Sequence, residues 1–315
     1  MTSAAMVLGA TRAMATDVTV HGVTPGDAEA ERAVREALDR FHDVEAACTR
    51  FDPRSPLMQV NARPDRWHSV PPTLFLAMQE ASRAHQRSKG RFDPRVLRSL
   101  VGLGYDRSLP FSSGDVATTG PAALSGVAGP WRPRFRGGRR PEIQLGRDPV
   151  DLGGIGKGLA IRWARARLGK DVDEFLIDAG GDIACHGAGP DGTGWQVAVE
   201  DPRNGAAPLA VVALRDIACA TSSIRLRRWR SGGRQVHHLV DPRTGRPGGA
   251  GLLAVTVITP DPVDAEVLSK SLFLEGRRGI AGEAKRTGVA AFWVHSDGSL
   301  GETRPFSDRV IWRSV

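Results

Sequence analysis

Apolar and polar positions alternate along the chain with two different periods, and the changes of period mark its elements. From Met14 to Val20, the residues Met14, Thr16, Val18 and Val20 alternate with Ala15, Asp17 and Thr19, which predicts a strand. From Asp27, a good N-cap, the period becomes helical. Val34, Leu38, Phe41, Val44 and Cys48 recur at spacings of three and four and form one stripe facing the core. Arg50-Phe-Asp-Pro-Arg-Ser-Pro56 breaks that helix, and Pro71-Pro-Thr73 opens another through Leu74, Ala77, Ala81 and Ala84 that ends at Gly90. A third helix should leave the glycine-rich run at 151–160 and end at Gly169, with Leu159, Trp163 and Ala166 as its apolar stripe. Strands are then predicted over 175–177, 195–199, 209–214, 217–220 and 252–259, and a short one over 142–145. Helices over 262–275 and up to about 285, with strands over 289–294 and 310–312, complete the chain. Adjoining strands and separate helical blocks predict an α+β fold rather than a doubly wound parallel sheet.

Composition narrows this picture. A chain of 315 residues, 41% hydrophobic and 25% charged, reads as globular and can bury a large core. The net charge of +8 suits polyanionic partners such as nucleotides. Residues 1–11 are expected to be a disordered start and 12–315 a single domain, with room for two α+β subdomains around an Arg/Gly/Pro-rich connecting stretch at about 108–148. The arginines at 132, 134, 136, 139 and 140 form no recognisable nucleic-acid module, so a solvated loop is expected there and no nucleic acid partner. Cys48, Cys185 and Cys219 have no paired or metal-like spacing and read as reduced core thiols. The first residues lack the basic and apolar regions of a leader, and no run approaches membrane-spanning length. A cytoplasmic protein without stable membrane insertion is therefore expected.

The candidate chemistry centres on Asp151-Leu-Gly-Gly-Ile-Gly-Lys-Gly158. Four glycines before a helix let backbone pass close to something bulky, and the N–H groups of a helix start attract anions. Lys157 is a poor residue for that end unless a negative group neutralises it, which suggests a phosphate or pyrophosphate. Neither a Walker loop nor a dinucleotide fingerprint fits the spacing. Phe175-Leu-Ile-Asp-Ala-Gly-Gly-Asp182 reads as a buried strand entering a double-glycine turn, and Ala220-Thr-Ser-Ser223 sets hydroxyls at a strand end. His238-Leu-Val-Asp-Pro-Arg-Thr-Gly-Arg-Pro247 sets a histidine before a turn rich in donors, and 264–273 is a helix with polar groups on one side. Taken singly, each also has a plain structural reading: tight turns, a type I turn opened by Asp241, and an i, i+4 ion pair of Glu266 with Lys270.

Their order along one chain, together with Gly90-Arg-Phe-Asp-Pro94, resembles the FAD:protein FMN transferase family, also called the ApbE family, from about Met14 to the end. The resemblance implies an ApbE-like α+β fold of mixed and antiparallel sheets with flanking helices. It also implies FAD between the glycine-rich segments, Mg²⁺ at the pyrophosphate, and attachment of FMN through a phosphoester to a Thr or Ser of a target flavoprotein with release of AMP. On this basis Met14, Arg91, Phe92, Asp93, Gly153, Gly154, Lys157, Asp178, Gly180, Gly181, Thr221, Ser222 and His238 are expected to bind the cofactor. His238, Glu266 and Lys270 are expected at the chemistry, with the Gly156 carbonyl, Glu266 and the position of Lys270 at the metal. The sequence departs from the family pattern where an Asp and a Thr become Glu266 and Lys270, where a Thr becomes Arg95 and where a Gly becomes Ser223. A charged lysine cannot ligate Mg²⁺. Either Asp264 or Ser269 contributes to a rearranged metal site, or Lys270 supplies charge in place of the ion. The alternative function is a flavin-binding protein with weak or no transfer, an FAD store or sensor.

Overall fold

The computed structural model describes residues 6–23, 27–107, 115–116, 125–127, 129–203, 205 and 207–314. Asp27 caps the first helix, its carboxylate accepting the N–H of Ala30 at 2.8 Å, and α1 runs over Ala28–Cys48 with the whole expected stripe buried. After it come α2 (Pro56–Ala62), α3 (Pro72–Arg87), α4 (Leu97–Gly102), α5 (Gly156–Leu168), α6 (Pro262–Phe273) and α7 (Gly276–Thr287). The short α2 was not expected, because two prolines hid it. Ser55 caps it, and Pro56 occupies the first position, where a missing N–H costs nothing.

The main sheet consists of β1 (Met6–Ala13), β2 (Thr16–Gly22), β3 (Phe175–Ala179), β4 (Asp182–His186), β5 (Ala218–Ser223), β6 (Leu252–Thr259), β7 (Ala290–His295) and β8 (Leu300–Glu302). These strands lie side by side in that order, each antiparallel to the next. Adjacent residues of a strand point to opposite faces. Ile177 accordingly joins Phe41, Leu159 and Ile161 in the core beneath the helices. Leu176 joins Ile183, Cys219 and Phe292 in a second core. That core is closed by a small sheet of the strands Trp195–Val199, Ala210–Leu214 and Val310–Arg313. Strands covered on both faces read as continuous apolar runs. All three cysteines are free and buried, and burial pushes the thiols of Cys48 and Cys185 up to about 12.

The architecture is the expected α+β arrangement, with corrections in detail. Residues 6–11, expected to be disordered, belong to edge strand β1, held by its ladder to β2. Residues 1–5 lie outside the described residues. The first predicted strand begins two residues late, because Met14 and Ala15 form the hairpin turn at φ 54 and 60. On α5 the buried stripe is Leu159, Ile161, Ala164 and Leu168, while Ala166 is exposed, since α5 packs between α1 and α6 and is covered on two sides. Much of the connecting stretch at 108–148 lies outside the described residues. Its described part holds the strands Arg134–Arg136 and Glu142–Gln144. Among the described residues no helix is long and apolar enough to cross a membrane.

Candidate functional site

A cavity of about 310 Å³ opens where the β1–β2 turn, the C-terminal end of α1, the segment 91–96 and the N-terminal end of α5 meet. Most of the residues predicted for a site face it: Met14, Arg91, Phe92, Asp93, Gly153, Gly154, Gly156, Lys157, His238 and Lys270 all line its wall. The glycine turn adopts its path because Asp151 folds back on it, accepting the N–H of Gly153 at 2.6 Å. Gly158 is fixed by packing, for a Cβ there would lie 2.7 Å from the carbonyl oxygen of Pro262 and 2.9 Å from Cα of Val263. The first turn of α5 is thereby pressed against α6, which carries Lys270 into the cavity wall.

Charges around the cavity are arranged in pairs. Lys157 has its negative partner within the protein, since its Nζ lies 2.5 Å from an oxygen of Asp182 at the start of β4. Asp151 is buried against Arg50, Nε to oxygen 2.5 Å, with the guanidinium 4.3 Å from the ring centres of both Phe51 and Tyr105. Asp93 is buried against Arg95 at 2.7 Å, so the residue that departs from the family pattern neutralises the carboxylate two positions before it. Arg91 is held by Glu275 at 2.6 Å. Met14 donates its backbone N–H to Glu45 at 2.8 Å, which pins the left-handed turn against α1.

His238 is half-buried and donates Nδ1–H to the carbonyl oxygen of Arg227 at 3.3 Å, which leaves Nε2 as the acceptor of the ring. Burial first, and then the positive charges of Arg227 and Lys270, hold its pKa well below the ordinary histidine range, so the imidazole is neutral near pH 7.

Other predicted residues stand behind the wall. Asp178 accepts the N–H of Gly181 at 2.8 Å and shapes the Gly180–Gly181 turn, where a Cβ on Gly180 would meet the Thr16 hydroxyl at 2.1 Å. Burial raises the pKa of Asp178 from its ordinary value. The hydroxyl of Thr221 bonds that of Thr256 at 2.9 Å, and Ser222 bonds Ser269 at 2.8 Å. Asp178, Gly180, Gly181, Thr221 and Ser222 thus brace β3, β4 and β5 and are not among the residues lining the cavity. Asp241 takes its plain reading, opening a turn in which it accepts the N–H of Arg243 at 2.9 Å. Arg50, Phe51 and Tyr105 were missed. The run Arg50-Phe-Asp-Pro-Arg-Ser-Pro56 reads as a helix breaker, and only the fold brings its first residues to the glycine turn.

The donor set does not fit the divalent cation implied by the family resemblance. Glu266 is 1% exposed, and both its oxygens are used, one accepting the N–H of Gly158 at 2.7 Å and the other pairing with Lys270 Nζ at 3.1 Å. Asp264 turns to Arg87 at 2.8 Å, and the Ser269 hydroxyl donates to the Glu266 carbonyl at 3.0 Å. Among the described residues no three of His, Cys, Asp or Glu are grouped to hold a metal ion.

This arrangement has relatives. A solved ApbE protein from Thermotoga maritima superposes with a TM-score of 0.81 at 24% identity, covering 97% of this chain and 99% of its own. The apo flavinyl transferase ApbE of Pseudomonas stutzeri gives 0.78 at 23%, covering 97% and 96%. These likenesses establish the shared fold. The FAD:protein FMN transferase of Salmonella typhimurium is 30% identical over 151 residues, which is 47% of this chain and 43% of that protein. That of Treponema pallidum is 28% identical over 262 residues, 76% of this chain and 70% of that one. The chain thus spans less than half the length of the first of these relatives. The ApbE family model matches residues 14–293, and on that match the chain belongs to the ApbE family.

Proposed function

We propose that the protein takes FAD as a substrate and transfers its FMN part to a Thr or Ser hydroxyl of an acceptor flavoprotein. The acceptor oxygen forms a bond to the FMN phosphorus, the pyrophosphate P–O bond breaks, AMP leaves, and the hydroxyl proton passes to a base. One observation carries this reading: Gly153, Gly154, Gly156 and Lys157 of the glycine turn, His238 and Lys270 line one cavity whose other walls include the apolar side chains of Met14 and Phe92. Lysine ammonium groups hold phosphates, and the apolar walls suit a flat ring system. Phosphoryl transfer depends on positioning and charge more than on covalent chemistry. Neutral His238, with Nε2 as acceptor, is suited to receive the hydroxyl proton. Residues 12–315, extended to Met6 by the edge strand, act together as one flavin transferase domain in this reading.

A second reading, an FAD store or sensor, draws support from the Glu266–Lys270 pair, because an ammonium stabilises a developing phosphoryl charge less than a divalent Lewis acid does. Incubating the purified protein with FAD, Mg²⁺ and a threonine-bearing target domain separates the two. Flavin fluorescence on the acceptor band of a denaturing gel is expected. Fluorescence that stays non-covalently with this protein supports the store.

A further inference from the structure

The carboxylates around the cavity share a feature that the reaction alone does not require. Asp93, Asp151, Asp182 and Glu266 each have a cation of their own, Arg95, Arg50, Lys157 and Lys270, at 2.7, 2.5, 2.5 and 3.1 Å. Glu45, which also lines the wall, accepts the Met14 N–H. A hard divalent cation needs several oxygen ligands with uncommitted negative charge, and four of these five carboxylates have theirs neutralised by a cation. Lys270, like Lys157, is an ammonium group at the cavity wall. Its ammonium has three N–H donors, and two are accounted for by the carboxylate oxygen of Glu266 at 3.1 Å and the Glu266 carbonyl at 3.4 Å. Glu266 in turn spends its second oxygen on the N–H of Gly158, so its charge is shared between Lys270 and the start of α5. Lys270 itself lines the cavity, with its methylenes 3.4 and 3.5 Å from where a Cβ of Gly154 would stand.

We propose that Lys270 provides, beside the glycine turn, the positive charge that a divalent ion would otherwise bring, so that the protein holds the FAD pyrophosphate without metal. Glu266 is the positioning residue that fixes the ammonium. The proposal rests on the FAD reading, and the test separates the two.

FAD affinity is measured by flavin fluorescence in EDTA and in millimolar Mg²⁺, and Mn²⁺ binding is followed by electron paramagnetic resonance with and without FAD. The natural protein is compared with Lys270→Met and with the double variant Glu266→Gln/Lys270→Met, which leaves no lone buried carboxylate; thermal unfolding checks that both fold. The natural protein should bind FAD equally, within about threefold, in the two buffers and take up no stoichiometric Mn²⁺. Both variants should bind FAD about tenfold or more weakly in EDTA, the scale of one charge-assisted contact. Tenfold or greater tightening of the natural protein by Mg²⁺, or stoichiometric Mn²⁺ binding in either state, would overturn the proposal. So would variants that keep the natural affinity in EDTA. Absence of FAD binding in every buffer would overturn the functional reading and this proposal together.

Discussion

Single residues in this site are defined by their partners. His238 illustrates the point: its position in a donor-rich segment is visible in the sequence, but its neutrality comes from burial and from Arg227 and Lys270, which no local pattern reveals. In the proposed role of proton acceptor, His238 replaced by Ala should lower the transfer rate roughly 10²-fold while FAD affinity changes little. Steady-state rates and fluorescence titration check this, and unchanged turnover would remove His238 from the chemistry. The neighbouring His237 is also held down by burial, to about 4. Both histidines have folded values below the unfolded value of ~6.5, so the unfolded chain binds more protons in that window. The stabilising contribution of His237 is complete above about pH 6.5 and is lost as pH falls toward 4. Urea unfolding at pH 7.5 and 5.5 should show a loss of roughly 1 kcal/mol from His237, and His237→Gln should remove it. A pH dependence identical in that variant would contradict this assignment. Lys157 is the opposite lesson. Its sequence position asked for a negative ligand, and the structure supplies Asp182, which lies 25 residues away along the chain and across a turn.

Elements were legible where one period ran long enough. The stripe of α1 and the run of β6 are read directly from spacing, the first because one face is buried and the second because both are. The β1–β2 hairpin was not legible, because its turn puts Met14 and Ala15 at positive φ without the Asn or Gly that normally marks it. The tertiary contact of Glu45 with Met14 holds that turn instead. The α5 stripe was misjudged for a related reason, since a helix clasped by both α1 and α6 has no single apolar face. The Gly158 contact with α6 predicts that Gly158→Ala destabilises the protein by about 1–3 kcal/mol through overpacking. Because α6 carries Lys270 and Glu266, FAD affinity should fall with it. Urea denaturation and fluorescence titration read the two effects, and a variant of natural stability would show that the helices part without cost.

At the scale of the molecule, the antiparallel sheet explains why segments far apart in sequence reach one cavity. Its strands run in chain order, so the hairpin turn after β1 and the glycine run before β3 come to one region, while helices inserted between strands bring Lys270 to it. The order of motifs along the chain therefore carried the family and the fold. The cation pairing around the site was not in that order, because it arises only when α1, α5, α6 and the sheet close on one another. The central claim, that this cavity splits FAD and passes FMN to a protein hydroxyl, is tested most directly by intact mass spectrometry of a threonine-bearing acceptor domain after incubation with this protein and FAD, with AMP quantified in the same mixture. The account predicts that the acceptor gains the mass of FMN less one water, with one AMP released for each acceptor modified, and that replacing the acceptor threonine by alanine abolishes both. FAD bound to the protein with an acceptor of unchanged mass and no AMP would contradict it.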